Sequence, residues 1–207
     1  DFRRYADRMF CILPFETEFF RKLNYSVDYV GNPSVDSVAY YKEHQAIPKD
    51  TFIKEEGLAN KPILALLSGS RKQEIKDNLP TMLKVASAYP DYQPVIAGAP
   101  GIDPAYYQEY IGSYPAKIVF GKTYPLLQHS AAALVTSGTA TLETALFRVP
   151  QVVCYYVVAG QLASFIFKYF FHTKYISLVN LIGGREIVQE LFGARFSESQ
   201  IQDELGR

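Results

Sequence analysis

The sequence predicts an α/β fold, a Rossmann-like parallel sheet flanked by helices. From residue 62 onward, continuous apolar runs of strand length alternate with helical segments, which is typical of βαβ units with right-handed crossovers. Hydrophobic residues make up 48% of the 207 residues, enough for a core in one large domain or two small ones. Hydroxyl-rich turns follow two of the apolar runs, at 68–71 and 137–141. Because ligands bind at the carboxyl ends of strands in such sheets, these turns predict a ligand site.

The part of the chain before residue 62 has a less regular pattern. We expect the end of a helix at 1–8, short strands at 9–13 and 27–30, and a helix at 15–23. The segment 40–61 mixes charged and apolar residues, and we expect it to be exposed. The chain starts with charged residues and without methionine, so we expect a fragment that carries no signal peptide.

Each later strand is predicted from a short apolar run that ends in turn-forming residues. Strands are predicted at 63–67, 94–97, 118–120, 131–135 and 151–156, and helices at about 73–88, 104–111 and 125–130, with another after 139. Pro150 ends that last helix. Nearer the end, Gly183-Gly184 precedes a predicted helix that runs through Leu191, and Ser197 caps a final helix up to residue 205.

The turn after strand 131–135 is the strongest candidate for an anion site. Backbone N–H groups at a helix start, together with the helix dipole, favour a bound anion such as phosphate. Ser137, Thr139 and Thr141 add hydroxyl donors there, and Gly138 lets a ligand approach the backbone. Glu143 lies about one turn into the helix, where its carboxylate can accept bonds from sugar hydroxyls. The alternative is that Ser137 or Thr139 only caps the helix and Glu143 faces solvent.

The turn after strand 63–67 carries a fixed positive charge. Arg71 follows Gly69 and Ser70, and a guanidinium at this place can hold a diphosphate through two parallel hydrogen bonds. The alternative is a surface arginine that pairs with Glu74, three residues on. Neither turn matches a P-loop or a G-x-G-x-x-G fingerprint, so the pattern indicates an anion site of another kind.

The last third of the chain contains two further candidates and an aromatic segment. Asn180 is a polar amide among apolar residues and needs hydrogen-bond partners, from a ligand or from neighbouring backbone. Arg185 stands near a predicted helix start, where it opposes the dipole and suits an anion. The aromatic segment 160–171, with Lys168 and Lys174, favours either a helix that lies in the membrane interface or one buried against the protein.

Composition and residue spacing argue against several classes of function. Lys and Arg (21) balance Asp and Glu (21), which argues against nucleic acid as a main partner. Cys11 and Cys154 lie in apolar runs and are expected to be free, buried thiols in a reducing compartment. The three histidines are scattered, so no metal site is predicted. No apolar run reaches the length of a membrane-spanning helix.

Taken together, several motifs resemble the C-terminal half of the lipid-A-disaccharide synthase family, glycosyltransferases of the GT-B fold. The matching stretches are Ile12-Leu13-Pro14-Phe15-Glu16, Tyr29-Val30-Gly31-Asn32-Pro33, Leu67-Ser68-Gly69-Ser70-Arg71, Ser137-Gly138-Thr139-Ala140-Thr141-Leu142-Glu143, Tyr175-Ile176-Ser177-Leu178 and Asn180-Leu181-Ile182-Gly183-Gly184-Arg185-Glu186. The family usually has proline where Ser68 and Gln189 stand, and histidine where Asn32 stands. These departures concern loop shape and remove no charged group from the predicted site.

The resemblance implies a reaction that composition does not. The family transfers 2,3-diacylglucosamine from its UDP donor to 2,3-diacylglucosamine 1-phosphate, forming lipid A disaccharide 1-phosphate and UDP, at the cytoplasmic face of the inner membrane. By this resemblance, residues 1–35 would end the acceptor domain and form the crossover, and residues 36–207 would be the UDP-sugar domain. The general base would lie in the preceding half, so this chain alone would be inactive. No cofactor is implied, and a homodimer is left open.

The resemblance also implies roles for individual residues. Ser70, Arg71 and the turn at 137–139 would stabilise the leaving UDP, and Glu143 would hold the ribose hydroxyls. Asn180 and Arg185 match family positions near the active cleft. Two alternatives stay open: a UDP-sugar 2-epimerase of GT-B architecture, against which residues 175–186 argue, and a non-catalytic nucleotide-sugar binding module.

Overall fold

A computed structural model describes residues 2–136, 138–156 and 175–207. Its first elements are α1 (Phe2–Tyr5), β1 (Phe10–Cys11), α2 (Pro14–Lys22), β2 (Asp28–Tyr29), α3 (Pro33–His44) and α4 (Lys49–Glu55). The alternating region contains β3 (Ile63–Leu67), α5 (Lys72–Ser87), β4 (Gln93–Gly98), α6 (Pro104–Ile111), β5 (Lys117–Phe120), α7 (Thr123–His129), β6 (Ser130–Val135), α8 (Thr139–Leu146) and β7 (Gln151–Tyr155). After the gap come α9 (Leu178–Gly183), β8 (Glu190–Phe192), a 3₁₀ turn (Gly193–Arg195) and α10 (Glu198–Leu205).

The main sheet has six parallel strands in the order β5-β4-β3-β6-β7-β8. The chain builds outward from β3 to β5, then returns to the other side of β3 with β6. The strand order therefore reverses between β3 and β6, and a crevice forms at the carboxyl ends of these two strands. The fold class and the strands predicted between residues 63 and 156 are confirmed.

Both faces of the sheet are covered, which explains why its strands are continuous apolar runs. Successive strand residues point to opposite faces. Leu64 and Leu66 pack with α5 and α6, whereas Ile63, Ala65 and Leu67 pack with α4 and α7. The central strand β3 is consequently buried at all five positions.

Most residues of the segment 40–61 are exposed, as its mixed composition predicted. It holds the end of α3 and the whole of α4, and it buries Tyr41 and Phe52. Phe52 is fully buried beside the α7 and β3 residues of the core. Tyr41 and Phe52 lie among mostly polar and charged neighbours, so the average composition of the segment did not indicate that they are buried.

The last third contains a strand where a helix was predicted. Gly184 adopts a left-handed conformation (φ +63°) and ends α9, and Glu190–Phe192 then pairs with β7 as the sixth strand. The prediction of a helix through Leu191 was wrong because Gly183-Gly184 ends a helix instead of starting one. The final helix and its cap are confirmed, since the Ser197 side chain accepts from Gln200 N. The aromatic segment 160–171 lies outside the described residues.

Candidate functional site at the switch point

A cleft of about 440 Å³ opens at the carboxyl edge of the sheet, between the first turns of α5 and α8. Its walls come from the ends of β3, β4 and β6, the strands that meet where the strand order reverses. The structure brings six of the predicted site residues together here: Gly69, Ser70, Arg71, Gly138, Thr139 and Glu143. Ser137 lies outside the described residues.

The turn after β3 is shaped by Glu74, which was predicted only as an alternative partner of the Arg71 guanidinium. Glu74 Oε2 accepts hydrogen bonds from the backbone N–H groups of Ser70 (2.9 Å) and Arg71 (3.3 Å). Gly69 has a φ of +109°, and a Cβ at this position would lie 2.5 Å from Glu74 Cβ. Only glycine therefore fits beneath the Glu74 side chain. The signal for Glu74 was its place three residues after the helix N-cap, the spacing of a capping box.

Arg71 pairs with Glu74, as one of the two sequence interpretations predicted. Its Nη1 lies 3.2 Å from Glu74 Oε1, and 81% of the arginine side chain is exposed. An exposed ion pair of this kind contributes at most about 1 kcal/mol, so a diphosphate competes well for the guanidinium. The pairing thus keeps Arg71 at the rim of the cleft.

The turn after β6 begins α8 without a side-chain cap. Gly138 is the N-cap residue, with a φ of +114°, and Thr139 is the first helical residue. Thr141 does not serve as a ligand donor, contrary to prediction. Its side chain is fully buried, and its hydroxyl donates to the Gly138 carbonyl at 2.9 Å. Thr141 instead holds the turn closed from inside the helix.

Glu143 is held in the cleft by a tyrosine that sequence analysis missed. The Tyr124 hydroxyl donates to Glu143 Oε1 at 3.0 Å. Burial and the nearby carboxylate raise the pKa of Tyr124 to about 12, so this hydroxyl keeps its proton. Burial raises the pKa of Glu143, partly offset by the Tyr124 hydrogen bond. Because the pKa of Glu143 is higher in the folded state than in the unfolded state, the folded state loses stability as the pH rises through the folded-state pKa. Ionisation of this carboxylate therefore destabilises the fold.

A second cleft of about 420 Å³ adjoins the first along α7. It is lined by Tyr41, Gln45, Ile47, Gly121, Lys122, Thr123, Tyr124 and Pro125, and Thr123 lines both clefts. This cleft was not predicted from the sequence, in which Gly121 after the carboxyl end of β5 is an indirect signal for it. The Tyr124–Glu143 hydrogen bond connects the two cavities.

Asn180 is a structural residue and not a ligand contact. It is fully buried, its Oδ1 accepts from Ile187 N (2.7 Å) and Val188 N (3.0 Å), and its Nδ2 donates to Val188 O and Glu190 Oε1 (2.8 Å each). These four bonds use the whole hydrogen-bonding capacity of the amide. Neighbouring backbone, one of the two expected sources of partners, is therefore present together with the Glu190 carboxylate, and no donor or acceptor of the amide is left for a ligand.

Arg185 also lies away from the cleft. It follows the C-cap of α9, not a helix start, in the exposed loop that enters β8 at its amino end. Neighbouring residues 186–189 line a different cavity of about 540 Å³, together with Pro150 and Gln151 before and at the start of β7. The helix start predicted beside Arg185 is therefore wrong, so no helix dipole supports an anion role there, and the role itself stays a prediction.

The described residues give no sign of metal or membrane-spanning elements. Nowhere in residues 2–136, 138–156 and 175–207 do three or more His, Cys, Asp or Glu side chains group as metal ligands. Among the described helices, none combines the length and apolar character needed to cross a bilayer. Cys11 and Cys154 are free and buried, as predicted.

Comparison with known proteins identifies the family. The lipid-A-disaccharide synthetase family matches residues 1–206. The chain belongs to this family. Among curated members, it is 35% identical to the lipid-A-disaccharide synthase of Myxococcus xanthus and 32% identical to that of Solibacter usitatus. Each match covers 99% of this chain, against 54% and 53% of the respective relative. The chain thus spans about half the length of these synthases.

Solved structures share the fold at low sequence identity. The UDP-GlcNAc 2-epimerase from Neisseria meningitidis bound to UDP-GlcNAc aligns with a TM-score of 0.67 at 15% identity, covering 97% of this chain and 53% of that one. The glycosyltransferase WaaG, involved in lipopolysaccharide biosynthesis, aligns with a TM-score of 0.51 at 13% identity, over 96% and 52%. These likenesses show the Rossmann-like fold, whereas the sequence matches show the lipid-A-disaccharide synthetase family.

Proposed function

We propose that this chain is the UDP-sugar binding domain of a lipid-A-disaccharide synthase. The intact protein would transfer 2,3-diacylglucosamine from its UDP donor to 2,3-diacylglucosamine 1-phosphate. The observation that carries the proposal is the switch-point cleft, in which two strand-to-helix turns, an arginine and a carboxylate face one cavity. The reaction is proposed from the family, and the nucleotide site is proposed from the cleft.

The chemistry of the proposed site follows from the charge that develops on the leaving group. As the glycosidic bond to UDP breaks, the diphosphate gains negative charge, and preorganised donors lower the barrier by stabilising it. Ser70, Arg71 and the backbone at the start of α8 are the donors nearest the cleft. Glu143, held by Tyr124, would accept hydrogen bonds from the ribose hydroxyls. No step of this scheme needs a metal or another cofactor.

Residues 1–35 are proposed to end the acceptor domain and form the crossover, and residues 36–207 to form the donor domain. The strands β1 and β2 make a two-stranded parallel sheet, and parallel sheets are normally covered on both faces. Around it, Phe10, Phe19 and Val30 are 54%, 57% and 59% exposed. An apolar surface of this kind supports a docking place for the other half of the protein, which would carry the general base.

The acyl chains of the proposed substrates imply contact with a membrane surface. We propose a peripheral location at the cytoplasmic face of the inner membrane, with the aromatic segment 160–171 as the contact. Formation of a homodimer by the intact protein is left open.

An epimerase remains the alternative of the same architecture, because epimerases are among the structures that share this fold. The family match over residues 1–206 favours the synthase. A non-catalytic nucleotide-sugar module is the alternative of another class, and turnover by the intact protein separates it from an enzyme.

We expect the chain alone to bind UDP. We do not expect it to cleave a UDP-sugar and so form UDP. The cleft is present, whereas the proposed base lies in the other half. Calorimetry with UDP measures the first property. A coupled UDP-release assay with donor and acceptor measures the second, with the intact protein as the positive control. Disaccharide synthesis by this chain alone would show that the base is not in the other half, and absence of UDP binding would reject the proposed donor site.

A further inference from the structure

Two buried hydroxyls, one that lines the cleft and one that does not, have no hydrogen-bond partner among the described residues. Ser68 is fully buried and Thr136 is 2% exposed. Neither Ser68 Oγ nor Thr136 Oγ1 has a hydrogen-bond partner among the residues that the structure describes. A buried hydroxyl without a partner is unfavourable, and such groups are rare in folded proteins. Two of them at one place call for an explanation.

The register of the sheet places these two side chains next to each other. Leu67 is paired with Val135, and the backbone N–H of Thr136 donates to Leu67 O at 2.8 Å, so Ser68 lies opposite Thr136. Leu66 and Leu134, two residues earlier, both belong to the core under α5. Because strand side chains alternate, Ser68 and Thr136 point to that same face, beneath the first turns of α5.

At the same edge, the polar groups at the end of the neighbouring strand β7 have hydrogen-bond partners. The backbone N–H of Tyr156, just after β7, donates to Asn78 Oδ1 at 2.8 Å, and Asn78 Nδ2 donates to Glu74 O at 2.7 Å. Asn78 is 1% exposed, so this polar group is buried and paired within the protein. The two hydroxyls at the switch point have no comparable partner among the described residues, and one of them, Thr136, lines the cleft.

We infer that Thr136 and Ser68 form a hydroxyl relay for an anionic oxygen of the bound nucleotide's diphosphate. Thr136 would donate to the ligand oxygen. Ser68, which does not line the cleft and is not bonded to Thr136 in the structure, would rotate on ligand binding to donate to Thr136 Oγ1. One ligand acceptor then satisfies both hydroxyls. A hydroxyl that receives a hydrogen bond is a better donor, so Ser68 strengthens the contact made by Thr136. This inference rests on the proposed function and adds two residues to its site.

The relay predicts opposite effects of one substitution on affinity and on stability. Thr136→Val keeps the shape and removes the hydroxyl, so we expect it to weaken UDP binding about tenfold, as for a lost bond to a charged group. The ligand-free variant should be at least as resistant to urea as the wild type, because the hydroxyl that it loses has no partner among the residues that the structure describes. Thr136→Ser keeps the hydroxyl and should bind UDP within about twofold of the wild type.

Ser68→Ala tests the second step of the relay. Alone it should weaken UDP binding about threefold, but it should add nothing to Thr136→Val, because the relay is already broken. Uridine, which lacks the diphosphate, should bind all variants equally. Thr144→Val is the matched control, since Thr144 is buried, lies outside the cleft and already donates to Ala140 O.

The measurements are calorimetric titrations with UDP and uridine, and urea unfolding of each ligand-free variant. Unchanged UDP affinity of Thr136→Val beside a wild type that binds would overturn the relay and leave the proposed function intact. A lower urea midpoint, or failure of this variant to fold, would also overturn it by showing that the hydroxyl has a partner in the free protein. A wild type that does not bind UDP rejects the proposed function and the relay together.

Discussion

Replacing Arg71 with alanine in the intact enzyme is expected to cost about 2–4 kcal/mol of transition-state stabilisation, a fall of roughly 30- to 900-fold in kcat/KM. Among the described residues, the guanidinium pairs with Glu74 alone, at 3.2 Å and at an exposed position. That pair is weak, so the loss measured in catalysis would come from the diphosphate and not from the fold. Steady-state kinetics with varied UDP-sugar, together with a melting curve, checks both parts.

Two further variants sharpen the test of Arg71. Arg71→Lys should recover only part of the activity, because an ammonium lacks the planar fork that binds two phosphate oxygens. Lys76→Ala removes the same charge from an exposed position of the same helix and should stay close to the wild type. Near-normal kcat/KM for Arg71→Ala would show that the arginine is only a surface charge.

Replacing Glu190 with alanine is expected to destabilise the protein by about 3–5 kcal/mol, because four donors lose a buried acceptor. The Glu190 side chain accepts from Ile176 N (2.9 Å), Ser177 N (2.9 Å), Ser177 Oγ (2.6 Å) and Asn180 Nδ2 (2.8 Å). The residue is 4% exposed. The carboxylate thereby fastens the start of α9 to the edge strand β8.

Urea unfolding measures this loss, with Glu186→Ala as the control, since Glu186 is an exposed carboxylate in the loop before β8. The control should change the free energy of unfolding little. Glu190→Gln keeps one accepting oxygen, so its loss in free energy of unfolding should lie between those of Glu190→Ala and Glu186→Ala. If Glu190→Ala unfolds at the same urea concentration as the wild type, the carboxylate does not hold α9 to β8.

The sheet was predictable from the sequence because each of its strands except β8 is an apolar run with a clear end. The fully buried strand β3 and the helix α5 after it show this most clearly. Strand β8 has three residues and contains Glu190, a charged residue that is buried only because α9 supplies its donors. A strand of this kind depends on tertiary partners, so periodicity could not reveal it.

The cleft was predictable for a different reason. Hydroxyl and glycine turns at 68–71 and 137–141 follow two strands, and parallel strands bring their carboxyl ends to one edge. What the pattern lacked was the direction of each side chain. The Thr141 hydroxyl donates back to Gly138, and the Asn180 amide is bonded to backbone groups and to the Glu190 carboxylate. Glu74 shapes the turn after β3 and Tyr124 holds Glu143, and neither role was predicted.

A map of backbone amide chemical shifts on adding UDP shows whether the switch-point cleft holds the diphosphate of UDP. We expect the largest changes at residues 69–71 and 138–140, in the two turns that face the cleft. Changes confined to residues 148–151 and 186–189, which line the cavity at the amino edge of the sheet, would contradict it.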